Sequence, residues 1–196
     1  MIHHYFHQYI PKGRETESEA IKDIHLSMFD KFRMSTHVNI LEEGQLGFEM
    51  VTLKLMQSNL HRYADNDLIF YAHTKGISRN VGEDYNLAHH WRESMQNIML
   101  RGLNRGIQPL TAWGGFLLEA KVFNSITSEF GEYDFFGGNF WLARVGFLKT
   151  LPEVDLTADR YFAERWVGLT RANLESPNRN DWPSYAAFHR LNKLEI

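Results

Sequence analysis

Residues 68–76 read Leu-Ile-Phe-Tyr-Ala-His-Thr-Lys-Gly, and Asp65-Asn66-Asp67 stand just before them. Leu68 to Ala72 form an apolar run of strand length between turn-forming residues. That is the pattern of a strand buried on both faces of a parallel sheet. The polar group His73, Thr74, Lys75 and Gly76 then falls at the carboxyl end of that strand. Working back, Phe48 to Tyr63 carry Met50, Val51, Leu53, Leu55, Met56 and Leu60 at helical spacing. Ser35 to Leu41 read as a short strand closed by Glu42-Glu43-Gly44, and Glu15 to about Phe32 as a helix. Residues 2–10, IHHYFHQYI, read as a first strand ended by Pro11-Lys12-Gly13. The order strand–helix–strand–helix–strand predicts an α/β fold with a mostly parallel central sheet and right-handed crossovers. Sites in such sheets lie outside the carboxyl ends of the strands. His7 to Tyr9 and His73 to Gly76 both fall there, so they are placed to share one cleft.

Downstream the pattern is less regular. Tyr85 to Leu100 read as a helix with Trp91, Met95, Ile98 and Met99 on one side, and Trp113 to Phe123 as a further helix after a turn. Residues 132–143, EYDFFGGNFWLA, read as loop then strand, and Arg144 to Leu151 as a short helix stopped by Pro152. Asp159 to Leu169 predict another helix, Ser176 to Pro183 a loop, and Tyr185 to Leu194 a last short helix. No internal repeat or linker interrupts this order. The expectation is one compact domain over residues 1–196, in which residues 1–76 form a nucleotide-binding half and residues 77–196 an acceptor and sugar-binding half.

Composition sets outer bounds. Hydrophobic residues make up 43% of the 196 and aromatics 14%, enough for one sizeable core. Some of the Trp and Tyr are candidates for stacking on sugars or bases, although aromatics serve cores first. The formal net charge of -3 gives no overall basic footprint for nucleic acid. With no cysteine in the sequence, disulfides and thiolate metal sites are excluded. The opening residues lack a signal-peptide pattern, and no stretch approaches the length of a membrane span. A cytoplasmic protein is expected.

Several groups are suited to chemistry. Lys75 offers an ammonium, Thr74 a hydroxyl and His73 a ring donor, and Gly76 permits close backbone approach. Together they suit a diphosphate whose charge grows as it leaves. The plain alternative is a polar strand end with a Gly turn. Arg92, beside Trp91, can grip phosphate, or else is a helix charge next to a core Trp. Gly138, Asn139 and Trp141 place a permissive backbone, an amide and an indole where a sugar can bind, or else form a turn entering a core strand. Glu164, between large apolar neighbours in 160–166 (RYFAERW), is a candidate general base or a partner of Arg160 or Arg165. The ten histidines do not form a zinc pattern; His3 and His7 share a strand face, His89 and His90 diverge, and His189 is a lone metal candidate. Asp65-Asn66-Asp67 matches Asp-x-Asp, but it precedes the third strand and reads as a turn.

These pieces in order resemble a group of bacterial and viral glycosyltransferase-like proteins with a GT-A-related, Rossmann-like fold. The resemblance rests on His7 in YFHQY, on Glu49, Thr52 and Leu53 in EMVTL, on YAHTKG from Tyr71 to Gly76, and on Trp91-Arg92 with Met95. GGNFWLA (137–143) and RYFAERW (160–166) complete it, so that it spans about residues 2 to 168. It implies a hexosyl- or pentosyltransferase with a nucleotide-sugar donor, and an acceptor hydroxyl on a polysaccharide, a lipid-linked sugar or a hydroxymethylated DNA base. Carried over, His7, Tyr9, Thr52, His73, Thr74, Lys75, Gly76 and Arg92 bind the donor. Gly138, Asn139, Trp141 and Glu164 face the sugar or acceptor, and Glu164, Lys75 and His73 carry the chemistry. Leu142 stands where the pattern has a second Trp. The Mn or Mg ion common in such enzymes has no Asp-x-Asp at a strand's carboxyl end to hold it. The chain is short for such an enzyme, which fits a missing acceptor subdomain, a large acceptor or a homo-oligomer. The alternatives are a non-catalytic sugar- or nucleotide-binding module of the same fold and, more remotely, a phosphoester-cleaving enzyme built on His73 and Lys75.

Overall fold

The computed structural model describes residues 1–45, 49–74, 77, 83–106, 111–114, 117–118, 134–158, 162–170 and 173–176. Its first half follows the alternation read above. Strand β1 (Ile2–Ile10) leads to helix α1 (Glu15–Phe29), strand β2 (Ser35–Glu42), helix α2 (Met50–Asn59) and strand β3 (Leu68–His73). Helix α3 (Glu83–Arg105) follows, then strands β4 (Thr111–Gly114), β5 (Leu117–Leu118), β6 (Phe135–Phe136) and β7 (Trp141–Arg144). Short helices α4 (Val145–Leu148) and α5 (Phe162–Arg165) and strand β8 (Asn173–Glu175) complete the elements.

The main sheet has six strands in the order β2-β1-β3-β7-β4-β8, and β5 pairs with β6 in a small second sheet. β1 is parallel to both β2 and β3, and β4 is parallel to β8. β7 runs antiparallel to both of its neighbours, β3 and β4. The sheet is therefore mixed, and the expectation of a mostly parallel sheet describes its β2-β1-β3 half. The strand–helix alternation that predicts parallel pairing stops at α3. β7 arrives instead from the Gly137-Gly138 turn and enters between β3 and β4 in the opposite sense.

Alternation along β3 explains why its whole run is buried. Ile69 and Tyr71 enter one core with Tyr5, Leu53, Met56, Trp141 and Trp166, beneath α2. Phe70 and Ala72 enter the other with Phe6, Phe29, Trp91, Met95 and Leu142, beneath α1 and α3. The connection from β1 to β2 runs to one side of β1, and the connection from β2 to β3 crosses to the other side. The crossing places α1 and α2 on opposite faces and makes the gap between β1 and β3 a topological switch point.

Two expectations change in the second half. Thr111–Gly114 is a strand and not the start of a helix; the remainder of the expected Trp113–Phe123 helix falls largely outside the described residues. Trp113 lies over Gly102 of α3 and donates its indole N–H to the Ile98 carbonyl at 2.9 Å, and Gly114 lies against the Phe136 ring. These close approaches to glycine are long-range and leave no helical periodicity to find. β8 was not expected at all. The proposed loop and helix after Ser176 lie outside the described residues. Among the described residues, no helix is long and apolar enough to cross a membrane.

A Cβ placed on Gly168 would lie 1.8 Å from the backbone carbonyl oxygen of Asp134. Gly168→Ala is therefore expected to cost about 3 kcal/mol, since only a backbone shift relieves the clash. At Gly146 the nearest atom would be 3.1 Å away, on the Asp65 side chain. Urea unfolding of Gly168→Ala beside Gly146→Ala checks this; equal midpoints would mean that the Gly168 turn yields freely.

Candidate active site

The carboxyl edge at the switch point is built from β1 and β3. His7 and His73 are direct neighbours in the parallel register. The pairing continues past the strand: the Thr74 amide donates to the His7 carbonyl at 3.0 Å, and the Tyr9 amide donates to the Thr74 hydroxyl at 2.8 Å. Thr74, expected to donate to a phosphate, thus also extends the ladder. On the α1 side Ser18 donates to the Tyr9 carbonyl at 2.9 Å.

Glu49, the residue before α2, joins three segments. Its Oε1 lies 3.0 Å from His73 Nδ1, and its Oε2 accepts from Asn139 Nδ2 at 2.7 Å. The other ring nitrogen, His73 Nε2, contacts the Gly138 carbonyl at 2.8 Å. The indole N–H of Trp141 donates to Asn139 Oδ1 at 3.0 Å. The Gly138-Asn139 turn is left-handed at both residues, with φ of 87° and 56°. Asn tolerates that region better than most residues. At Gly138 a Cβ would also meet Met95 Sδ at 2.5 Å, so this position needs glycine twice over. Trp141 is fully buried and stacks on Tyr71 at 5.3 Å, so it reaches the edge only through Asn139.

His7 has a different partner. Its Nδ1 lies 2.8 Å from the Thr52 hydroxyl, which also accepts from Asn39 Nδ2 at 2.8 Å. Burial lowers the His7 pKa to about 4; the nearby Glu49 carboxylate opposes this and His73 adds to it. Tyr71 is raised well above the ordinary phenol value by burial and then by Glu49. Among the described residues its hydroxyl has no hydrogen-bond partner.

Beneath α1 and α3 lies a second buried polar chain. Gln96 Nε2 donates to His25 Nδ1 at 2.9 Å, and His25 Nε2 lies 3.2 Å from His4 Nε2. Because His25 accepts at Nδ1, its Nε2 carries the proton and donates to His4. Burial lowers the His4 pKa to about 3 and takes His25 well below the ordinary value, with His4, Arg92 and His73 adding to the second. Arg92 itself is buried on this side of the sheet, and its guanidinium donates to His89 Nδ1 at 2.8 Å.

The structure thus gathers His7, Tyr9, Thr52, His73, Thr74, Gly138, Asn139 and, indirectly, Trp141 around one strand edge. Arg92 belongs to the opposite face, and Glu164 sits on α5, which packs against α2 and β6. Lys75, Gly76 and His189 lie outside the described residues. No protein-family model matches the sequence. No curated protein or solved structure matches it either.

Asp65-Asn66-Asp67 is a turn at the amino ends of the strands. Asp67 accepts from the Ala64 amide at 3.1 Å, lies 3.3 Å from His3 and pairs with the Met1 amine, while Asp65 pairs with Lys149. Among the described residues no cluster of three or more His, Asp or Glu side chains is arranged to hold a metal.

Glu49, Asn39, His25 and Gln96 were not singled out as site residues. For Glu49 a signal existed: it stands three residues before Thr52 at a helix start, so the two share a face. Asn39 needed the β1–β2 register, in which it faces His7.

Proposed function

We propose that this protein is a glycosyltransferase that binds a nucleotide-sugar donor in the crevice at the β1/β3 switch point and passes the sugar to an acceptor hydroxyl. The observation that carries this reading is the switch point itself, with the polar pair His7 and His73 and then Thr74 at its carboxyl edge. Open α/β sheets bind ligands in that crevice. In this reading Lys75 and Gly76, next in the chain after Thr74, cradle the diphosphate. As the acceptor oxygen bonds to the anomeric carbon, the bond to the diphosphate breaks and the lysine offsets the charge left on it. Glu164 takes the acceptor proton, Asn139 and Gly138 border the sugar, and Arg92 strengthens the positive field from the far face. Acceptors of the polysaccharide, lipid-linked sugar or hydroxymethylated-base class all offer such a hydroxyl. The acidic turn at residues 65–67 lies at the opposite edge of the sheet and does not suit an Mn or Mg ion bound to this diphosphate, so no step is routed through a metal.

A panel of nucleoside diphosphates and sugar nucleotides, with and without Mn, tests the reading by thermal shift. One ligand at about 100 times its Kd is expected to stabilise the fold by about 2.7 kcal/mol. No shift with any of them would sink it. Donor turnover should vanish in Glu164→Gln and in Lys75→Ala. Binding without turnover in the unaltered protein would favour a non-catalytic sugar- or nucleotide-binding module. That second reading draws support from the engagement of both His73 ring nitrogens by protein groups.

A further inference from the structure

We propose that the outer edge of β2 is a homodimer interface, at which two copies of this chain pair antiparallel about a two-fold axis centred on Val38. The proposal is independent of what the crevice binds. Strand β2 closes one side of the main sheet, and among the described residues no strand pairs with its outer side. The backbone shows which of its groups face outward. The Glu43 amide donates inward, to the Ile10 carbonyl of β1 at 3.0 Å. Direction alternates along a ladder, so Thr36, Val38, Ile40 and Glu42 turn their N–H and C=O groups outward. Glu42 is already closed by Gln45, whose side-chain oxygen accepts from its amide at 3.0 Å and whose own amide donates to its carbonyl at 3.1 Å. Thr36, Val38 and Ile40 are left to pair.

Free edges are normally blunted by Lys, by Pro, by a bulge or by being very short. β2 uses none of these. It is eight residues long, its register with β1 runs unbroken from Ser35 to Glu42, and residues 35–41 contain no Lys and no Pro. The opposite edge, β8, has three residues. On one face of β2 the side chains of Val38 and Ile40 are 39% and 52% exposed.

The charge pattern selects a second copy as the occupant. Lys31 and Arg33 precede the strand, Glu42 and Glu43 end it, and all four are exposed. Residues 35–41 between them carry no Lys, Arg, Asp or Glu. Antiparallel pairing about Val38 sets Thr36 against the partner's Ile40 and Arg33 against the partner's Glu43. The basic end of each copy then meets the acidic end of the other, whereas a parallel pair would set like charges together. Val38 and Ile40 of both copies fall on one face and cover each other. The three open residues of each copy exchange about six hydrogen bonds, as narrow pairs of an antiparallel ladder do. The two-fold leaves neither β2 edge free, so assembly stops at two.

Sedimentation velocity of the full chain at rising concentration, up to about 0.1 mM, tests this. The mass is expected to climb from 23.0 kDa to about twice that and stop. Val38→Lys puts two ammonium groups against each other at a position already exposed, and should hold the chain at the single-copy mass with its circular dichroism unchanged. The sequence has no cysteine, so Val38→Cys reads the register directly. Opposite Cα atoms in such a pair lie about 5.5 Å apart, within disulfide reach, and mild oxidation should give a covalent dimer. Ile24→Cys, equally exposed but on α1, should give none. A chain that keeps the single-copy mass throughout, a dimer that Val38→Lys leaves intact, or a mass that goes on climbing overturns the proposal. Should Val38→Lys not fold, failure of Val38→Cys to cross-link overturns it as well.

Discussion

Lowering the pH from 7 to 5 is expected to remove about 4 kcal/mol of folding stability through His4 and His7, with a further loss from His25. Three histidines, His4, His7 and His25, are buried with hydrogen-bond partners and held below their ordinary value of 6.5 chiefly by loss of solvent. Above that value neither the folded nor the unfolded chain binds the proton, and stability is complete. Below it the unfolded chain takes up three protons that the folded chain refuses, so stability falls as pH falls. The loss continues to about 4 for His7 and about 3 for His4. His4 and His7 each contribute about 2 kcal/mol between pH 7 and 5 and His25 adds in the same direction, against a total stability of about 5–15 kcal/mol for a domain. Paired carboxylates begin to add their own losses only below about pH 5. Urea unfolding at a series of pH values reads the slope as about three protons, and His25→Gln should reduce it by one. A flat profile, or a slope that His25→Gln leaves unchanged, would show that these rings are solvated.

Replacing Trp141 by Ala should cost about 4 kcal/mol, the range for emptying a core of a large aromatic. Trp141 has no accessible surface, lies 5.3 Å from Tyr71 in a stacked pair and 6.3 Å from Trp166. Its loss leaves a cavity between β7, β3 and the 3-10 turn Trp166–Gly168 that α2 and α5 cannot collapse to fill. Trp141→Phe keeps much of the ring but removes the N–H that orients Asn139, so about 1 kcal/mol is expected from the lost hydrogen bond alone. Chemical denaturation of the pair measures both. A Trp used as an open sugar platform would show the reverse pattern, with ligand affinity lost and stability nearly kept. A cost below about 1 kcal/mol for Trp141→Ala would place the indole outside the core.

The sequence by itself determined the first half of the fold. The apolar run from Leu68 and the helical spacing around Leu53 and Met56 are local patterns, and they read correctly because period 2 and period 3.6 are written in neighbouring residues. It also marked the strand ends where His7, His73 and Thr74 stand together. Only the tertiary structure decided the rest. The antiparallel entry of β7 between β3 and β4, and the strand at Thr111–Gly114, depend on which distant segment supplies the missing backbone partners. The contacts of Glu49 with His73 and Asn139 join residues 24 to 90 positions apart, and no spacing rule connects them. Their meeting exists only once the chain has closed on itself.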